Sequence, residues 1–248
     1  MGFGQEGYNQ ENVSGFQAHA GGLHSEQTDT SVESKFLTQV FGWLSLGLAV
    51  TAVTSFAVLN SQTLIALIFG SGLFWGLIIG ELALVWYLSS RIFKMSTGAA
   101  GTAFFVYSLL NGITLTPILH MYTGASIAST FVVCAGTFGA TALYGYTTKK
   151  DLSSMGGLLM MALIGLIIAS VVNIFLGSSL LYWGLTVLGI VIFVGLTAYD
   201  MQKIKDMSRG HFAGGEMGEK ASILGALTLY LDFINLFIML LRLLGDRD

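Results

Sequence analysis

Cysteine and proline each occur once in the 248 residues. A lone Cys134, set in an apolar run, excludes a disulfide framework and a thiolate metal site. Charge is scarce too: Asp, Glu, Lys and Arg make up 10% of the chain, against about a quarter in a soluble domain. With 54% hydrophobic residues, composition alone makes this a membrane protein. The first 34 residues hold no apolar run long enough for a signal peptide. They are rich in Gly, Gln, Asn, Ser and Glu, and are expected to form a disordered, mildly acidic tail. The net charge of −3 carries no information as a total, and no nucleic-acid partner is expected.

Long apolar runs and glycine are what the chain has in plenty. From Lys35 onward, stretches of about 20 apolar residues recur, the length that a hydrocarbon core of about 30 Å requires. They lie near 36–59, 64–88, 98–119, 125–146, 153–176, 180–204 and 221–244. The fold class expected over residues 35–248 is therefore an all-α integral membrane domain of seven transmembrane helices, lying in contact with the lipid bilayer. The linkers "NSQT", "HMYTG" and "LGSSL" are very short and imply three tight helix pairs, with the seventh helix left over. Thirty-two glycines fit closely packed membrane helices. Gly72, Gly76 and Gly80 recur every four residues in the second span and predict one smooth face for close helix approach.

The few cations are distributed unevenly. Arg91 and Lys94 follow the second span, Lys149 and Lys150 the fourth, and Lys203, Lys205, Arg209 and Lys220 the sixth. The linkers after spans one, three and five carry no Lys or Arg. The excess of cations on the cytoplasmic side of membrane proteins then puts the N-terminus inside and the C-terminal "GDRD" outside. Short linkers and the lack of a C-terminal retention signal favour a bacterial inner membrane over an endoplasmic one.

Three ionisable groups sit within spans: Glu81, Asp200 and Asp232. A carboxylate at such depth costs on the order of 3 kcal/mol, so each demands an account. Asp200 and Asp232 stand on consecutive antiparallel helices, each behind a tyrosine (Tyr199; Tyr230), and come within hydrogen-bonding reach if the sixth span unwinds late. Two carboxyl groups sharing a poorly hydrated site cannot both ionise cheaply, so one keeps its proton. A shared proton latches the helices; its loss makes them repel and draws cations. Two or three carboxylates fall far short of the six to eight oxygens of a closed calcium cage, so only weak, transient calcium contact by Asp200 and Asp232 is expected. Glu81 divides evenly between a structural and a functional reading. Asn111, Asn173 and Asn235 read as interhelical glue. His120 and His211 have no metal partner, and no cofactor is implied.

Catalysis is not expected. Two aspartates on successive helices resemble those of intramembrane aspartyl proteases, but the Gly-x-Gly-Asp setting and the Pro-Ala-Leu motif are missing. Pro117 stands in "LTPIL" on the third span. "FGSGL" at 69–73 lacks the spacing of an intramembrane serine nucleophile, and no histidine lies deep in a span.

Three stretches resemble the Bax inhibitor family, the transmembrane Bax inhibitor motif proteins: "GITLTPIL" (112–119), "TAYDMQKIKD" (197–206) and "LTLYLDFINLFIMLLRLLG" (227–245). The similarity spans residues 36–245. It implies a fold in which the seventh helix is wrapped by the other six. It also implies a pH-sensitive calcium leak governed by an aspartate pair, matched here by Asp200 and Asp232. A family glutamate on the second helix is matched by Glu81. A family arginine that pairs with the sixth-helix aspartate in the open state is matched by Arg91, without the basic cluster that often accompanies it. The leading expectation is a passive, pH-gated calcium leak. A proton-coupled calcium exchanger using the same acids is the first alternative. A regulatory membrane protein that binds a membrane protease or a cell-death factor is the second.

Overall fold

In a computed structural model, the backbone is described for residues 10–209 and 215–247, and the side chains from Ser31 onward. Among the described residues eight helices follow in order: α1 (Gln10–Leu59), α2 (Gln62–Gly70), α3 (Leu73–Arg91), α4 (Thr97–Leu119), α5 (Gly124–Thr147), α6 (Ser153–Leu176), α7 (Ser179–Arg209) and α8 (Gly215–Leu244). A single 3₁₀ turn, Ile92–Lys94, follows α3. Seven of these segments are long and apolar enough to cross a bilayer: α1 from Ser31, α3 with its turn, and α4 to α8.

Local chemistry sets the boundaries. Ser61, Ser96 and Thr123 cap α2, α4 and α5, each accepting from the backbone N–H three residues on. Gly177, left-handed at φ 60°, closes α6 and allows the immediate turn into α7. The second span departs from the expected single helix over 64–88. It breaks at Ser71–Gly72, where Gly72 takes φ 76°, a conformation costly for any side chain. The short α2 lies before the break, and the crossing helix is α3.

α8 is the core. It buries Ile223, Leu227, Leu229, Tyr230, Leu236 and Leu241 almost completely. It packs against α7, α1, α5, α4 and the turn after α3, while α6 is held through α7. A helix apolar nearly all round belongs at the centre, because lipid-facing helices need bury only one stripe. The outer helices α3 and α6 expose Trp75, Ile79, Trp86, Ile168, Ile174 and Phe175, as lipid contact requires.

Two packing expectations are corrected. Of the three expected hairpins, only α6–α7 packs as a close pair; α1 lies on α4 and α8, and α5 lies on α7 and α8. Short linkers fix where helices start, but the central α8 competes for their apolar faces and wins. The glycine face of the second span is also absent. A side chain at Gly76 or Gly80 would meet nothing within 4 Å. Close approach occurs instead at Gly145, where a Cβ would strike the Ala198 backbone of α7, and at Gly112, where it would lie 2.7 Å from the Thr51 carbonyl of α1.

The N-terminal boundary differs as well. α1 begins at Gln10, within the segment expected to be a disordered tail, and Glu33 is only 8% exposed. Extending a formed helix adds one hydrogen bond per residue without a new nucleus, and this segment has no proline to stop it. Residues 1–9 and the loop carrying His211 lie outside the described residues.

Candidate functional site

Asp200 and Asp232 are brought together. α7 and α8 are antiparallel and staggered: Asp200 stands nine residues before Arg209, and Asp232 seventeen after Gly215. At 1.5 Å per residue those are about 13 and 25 Å from the respective helix ends. The stagger, not a late unwinding, makes them meet, since α7 runs as regular helix through Arg209. Both carboxyl groups line one crevice, where each acts on the other. Asp232 is 5% exposed, and its Oδ2 finds no donor among the described residues. Asp200 is half-buried, and Lys203, one turn nearer the helix end, is the cation that acts on it.

The pair lines a crevice of about 460 Å³ between α6, α7 and α8. Its walls are largely apolar, with Leu163, Leu166, Val171 and Phe193 among them, and its polar groups are Asp200, Asp232, Ser170, Thr228 and Asn235. Asn235 donates to the Leu231 carbonyl of its own helix at 2.8 Å, and Thr228 likewise to Leu224 at 3.1 Å. These groups reinforce α8 and supply the acids with no donor. Tyr199, next to Asp200, packs its ring against Gly156 of α6.

The remaining expected residues gather elsewhere. Tyr230 leaves the opposite face of α8 from Asp232, since two residues are about 200° of helix. It is fully buried, hydrogen-bonded to Thr51 Oγ1 at 2.6 Å, with Phe104 and Tyr107 edge-on to its ring. Beyond Tyr107 lies Glu81, half-buried on α3, whose carboxylate accepts from the Asn111 amide and from Thr114 Oγ1 at 2.7 Å. Asn111 is thus a bridge between α3 and α4, and it serves Glu81 rather than the aspartates. Arg91 is exposed at the end of α3 and makes no ion pair among the described residues; the turn that follows it packs on α8.

Sequence reasoning missed a clasp at the end of the bundle where the basic residues gather. Glu33 Oε2 accepts from Arg209 Nε at 3.0 Å, and its Oε1 from the Tyr146 hydroxyl at 3.1 Å. Lys205 lies 4.9 Å over the Tyr146 ring and donates to the Tyr146 carbonyl. These contacts tie α1, α5 and α7 across 113 to 176 residues of sequence. The one local signal was an acid two residues ahead of Lys35 at the mouth of the first span. On the same side, Gln202 accepts from the Leu152 N–H and donates to the Lys150 carbonyl, both at 2.8 Å, fixing the α5–α6 linker. Asp151, exposed in that linker, accepts from the Ser153 N–H at 2.8 Å, and hydrogen bonding from the Ser153 side chain, then from this backbone N–H, holds its carboxyl below the usual carboxylate range. Among the described residues no cluster of three or more His, Cys, Asp or Glu could hold a metal ion.

Comparison with known proteins covers nearly all of this fold. The family described as "Inhibitor of apoptosis-promoting Bax1" matches residues 33–248, from Glu33 of the clasp to the last residue. The inner membrane protein YbhL of Escherichia coli K12 is 53% identical over 214 residues, which cover 86% of this chain and 92% of that protein. A protein of Borreliella burgdorferi is 44% identical over 226 residues, 91% of this chain and 97% of its own. One of Deinococcus radiodurans is 39% identical over 213 residues, 86% and 91% of the two chains.

Proposed function

The chain belongs to the Bax inhibitor-1 family, and from that premise together with the acid pair we propose that it is a pH-sensitive calcium leak. The observation that carries the reading is Asp232, buried beside Asp200 with one carboxylate oxygen that has no hydrogen-bond partner among the described residues. Two carboxyl groups can hydrogen-bond to each other only if one holds a proton. With that proton, α7 and α8 are latched through the pair. Without it, two like charges face each other in a site poor in donors, and the helices separate or take up a cation. Calcium is the ion that the family resemblance implies and that hard oxygen ligands suit. It is cargo passing weak carboxylate contacts, with no resident site.

In the open state Arg91 takes Asp200 as its partner. The turn after Arg91 already packs on α8, which supports that role. Glu81, with Asn111 and Thr114, lies on the other side of α8 and serves as a second polar station on the ion path. The protein sits in the inner membrane, as the name of the Escherichia coli relative says of that protein. Its N-terminus is cytoplasmic, because Arg91, Lys94, Lys149, Lys150, Lys203, Lys205 and Arg209 fall at one end of the bundle.

The test is calcium flux into dye-loaded vesicles of purified protein, with and without an imposed proton gradient. A leak conducts down the calcium gradient whatever the proton gradient. Uphill calcium movement driven by protons would replace the leak with an exchanger built on the same acids.

A further inference from the structure

At the end of the bundle away from the basic linkers, a second cavity of about 560 Å³ opens between the α6–α7 turn and the C-terminal segment. Its polar lining is cationic: Arg242 and Arg247, with Asn173, Ser178 and Tyr182, beside the indole of Trp183. No acidic side chain lines it among the described residues. The two guanidinium carbons stand 5.7 and 6.0 Å from the centroid of the same Tyr182 ring. Arg247 also donates to the Tyr182 hydroxyl at 3.1 Å and lies 5.7 Å over the Tyr122 ring.

The segment carrying Arg247 is fixed. Asp246 accepts from the Thr123 N–H at 3.2 Å through its carbonyl, and its own N–H donates to Ser126 Oγ at 2.9 Å. Tyr122 and Arg247 form an antiparallel bridge. The positive charges are therefore positioned by structure. Among the described residues neither arginine makes an ion pair; the two ion pairs found there, Arg209–Glu33 and Lys220–Glu216, are at the other end. Two guanidiniums gathered on one ring repel, and among the described residues no carboxylate lines the cavity to offset them, so an anion there would balance the charge. Arginine forks match phosphate oxygens in pairs.

The rim says where the anion comes from. Ile174, Phe175, Leu176 and Leu180 are all strongly exposed beside the cavity, and Leu244 joins them from α8. These residues belong to spans and face hydrocarbon, just below the level where headgroups begin. A free anion would have no use for that apolar skirt, whereas a lipid would lay its acyl chains on it.

We propose that Arg242 and Arg247 form a binding site for the phosphate headgroup of an anionic membrane phospholipid. The headgroup enters between the α6–α7 turn and the end of α8, with Ser178 and Asn173 at its edge. The site is independent of the acid pair and of any ion conduction. Bound lipid staples the last turn of α8 to the start of α7.

Thermal unfolding of the purified, delipidated full chain in detergent tests this, with phosphatidylglycerol titrated in. Phosphatidylcholine and inorganic phosphate run as separate arms. Phosphatidylglycerol is expected to raise the unfolding midpoint of the native chain, and Arg242→Gln to weaken its apparent affinity by about tenfold or more. Arg242→Gln retains the Arg247 contacts to Tyr122 and the linker, so it keeps the fold; Arg242→Gln/Arg247→Gln is expected to abolish the response. The charge-matched control Lys149→Gln/Lys150→Gln, at the opposite end, is expected to respond like the native chain. Undiminished phosphatidylglycerol stabilisation in the double arginine variant would overturn the site. An equal response to inorganic phosphate would overturn the lipid as its source, and an equal response to phosphatidylcholine would overturn selection for net negative charge.

Discussion

Tyr230 and Asp232 stand two residues apart on α8 and face opposite worlds. On the Tyr230 side, α1 and α4 close in tightly: the hydroxyl is bonded to Thr51, two aromatic rings meet the phenol edge-on, and Gly112 lets the α1 backbone within van der Waals range. On the Asp232 side, α6 stands off and leaves a crevice with an acid whose oxygen no neighbour serves. Both polar groups are nearly buried, yet one is satisfied by its surroundings and the other faces a second acid with an oxygen left unpartnered among the described residues. The first arrangement costs little and holds the bundle together. The second leaves a buried acid short of donors, the kind of position on which the proposed proton latch rests.

Four substitutions sharpen the contrast. Tyr230→Ala empties the packed side and is expected to cost about 3–5 kcal/mol, read as a large drop in the unfolding midpoint in detergent. Asp232→Asn, two residues away, keeps a hydrogen bond available to Asp200 and is expected to shift that midpoint far less. An equal drop would mean the crevice side is as structural as the packed one. Glu81→Ala strips Asn111 of its acceptor while the Asn111 Oδ1 already lacks a donor, and about 1–3 kcal/mol is expected. Arg209→Gln opens the clasp to Glu33. Because the arginine side chain is 57% exposed, the loss should stay below about 1 kcal/mol and shrink with added salt.

The smallest effect belongs to Asp151. Its carboxyl is held below the usual range by contact with Ser153, so its contribution is complete above the unfolded-state value near about 4. That contribution fades as pH falls through the lower folded-state value. Asp151→Ala should therefore lower the midpoint slightly at neutral pH and not at all in strong acid. A difference that grows on acidification would reverse the sign and refute the assignment.

Much of this was legible in the sequence, and what was not has physical reasons. Seven apolar runs and the alternation of bare and basic linkers need only hydropathy and charge counted along the chain. Asp200 and Asp232 stand out in the sequence as acids within apolar spans, but consecutive helices need not be neighbours in this bundle; that both line one crevice comes from the packing and stagger of α7 on α8. The Gly72, Gly76 and Gly80 spacing defines a face but not what it faces; two of those glycines look outward and the third is a hinge. The hairpins were misjudged because linker length says nothing about competition from a central helix. Glu33 was hidden for a related reason: its partners Tyr146 and Arg209 lie far along the chain, and polar composition around it masked a membrane-edge clasp.

The most direct test of the account is the pH dependence of calcium flux into vesicles, native chain against Asp232→Asn. A shared proton as the latch predicts that native flux rises as pH rises and the proton is lost. It also predicts that Asp232→Asn, which cannot share or release that proton, loses the pH response while remaining folded. A native-like pH response in Asp232→Asn, and equally in Asp200→Asn, would contradict the latch.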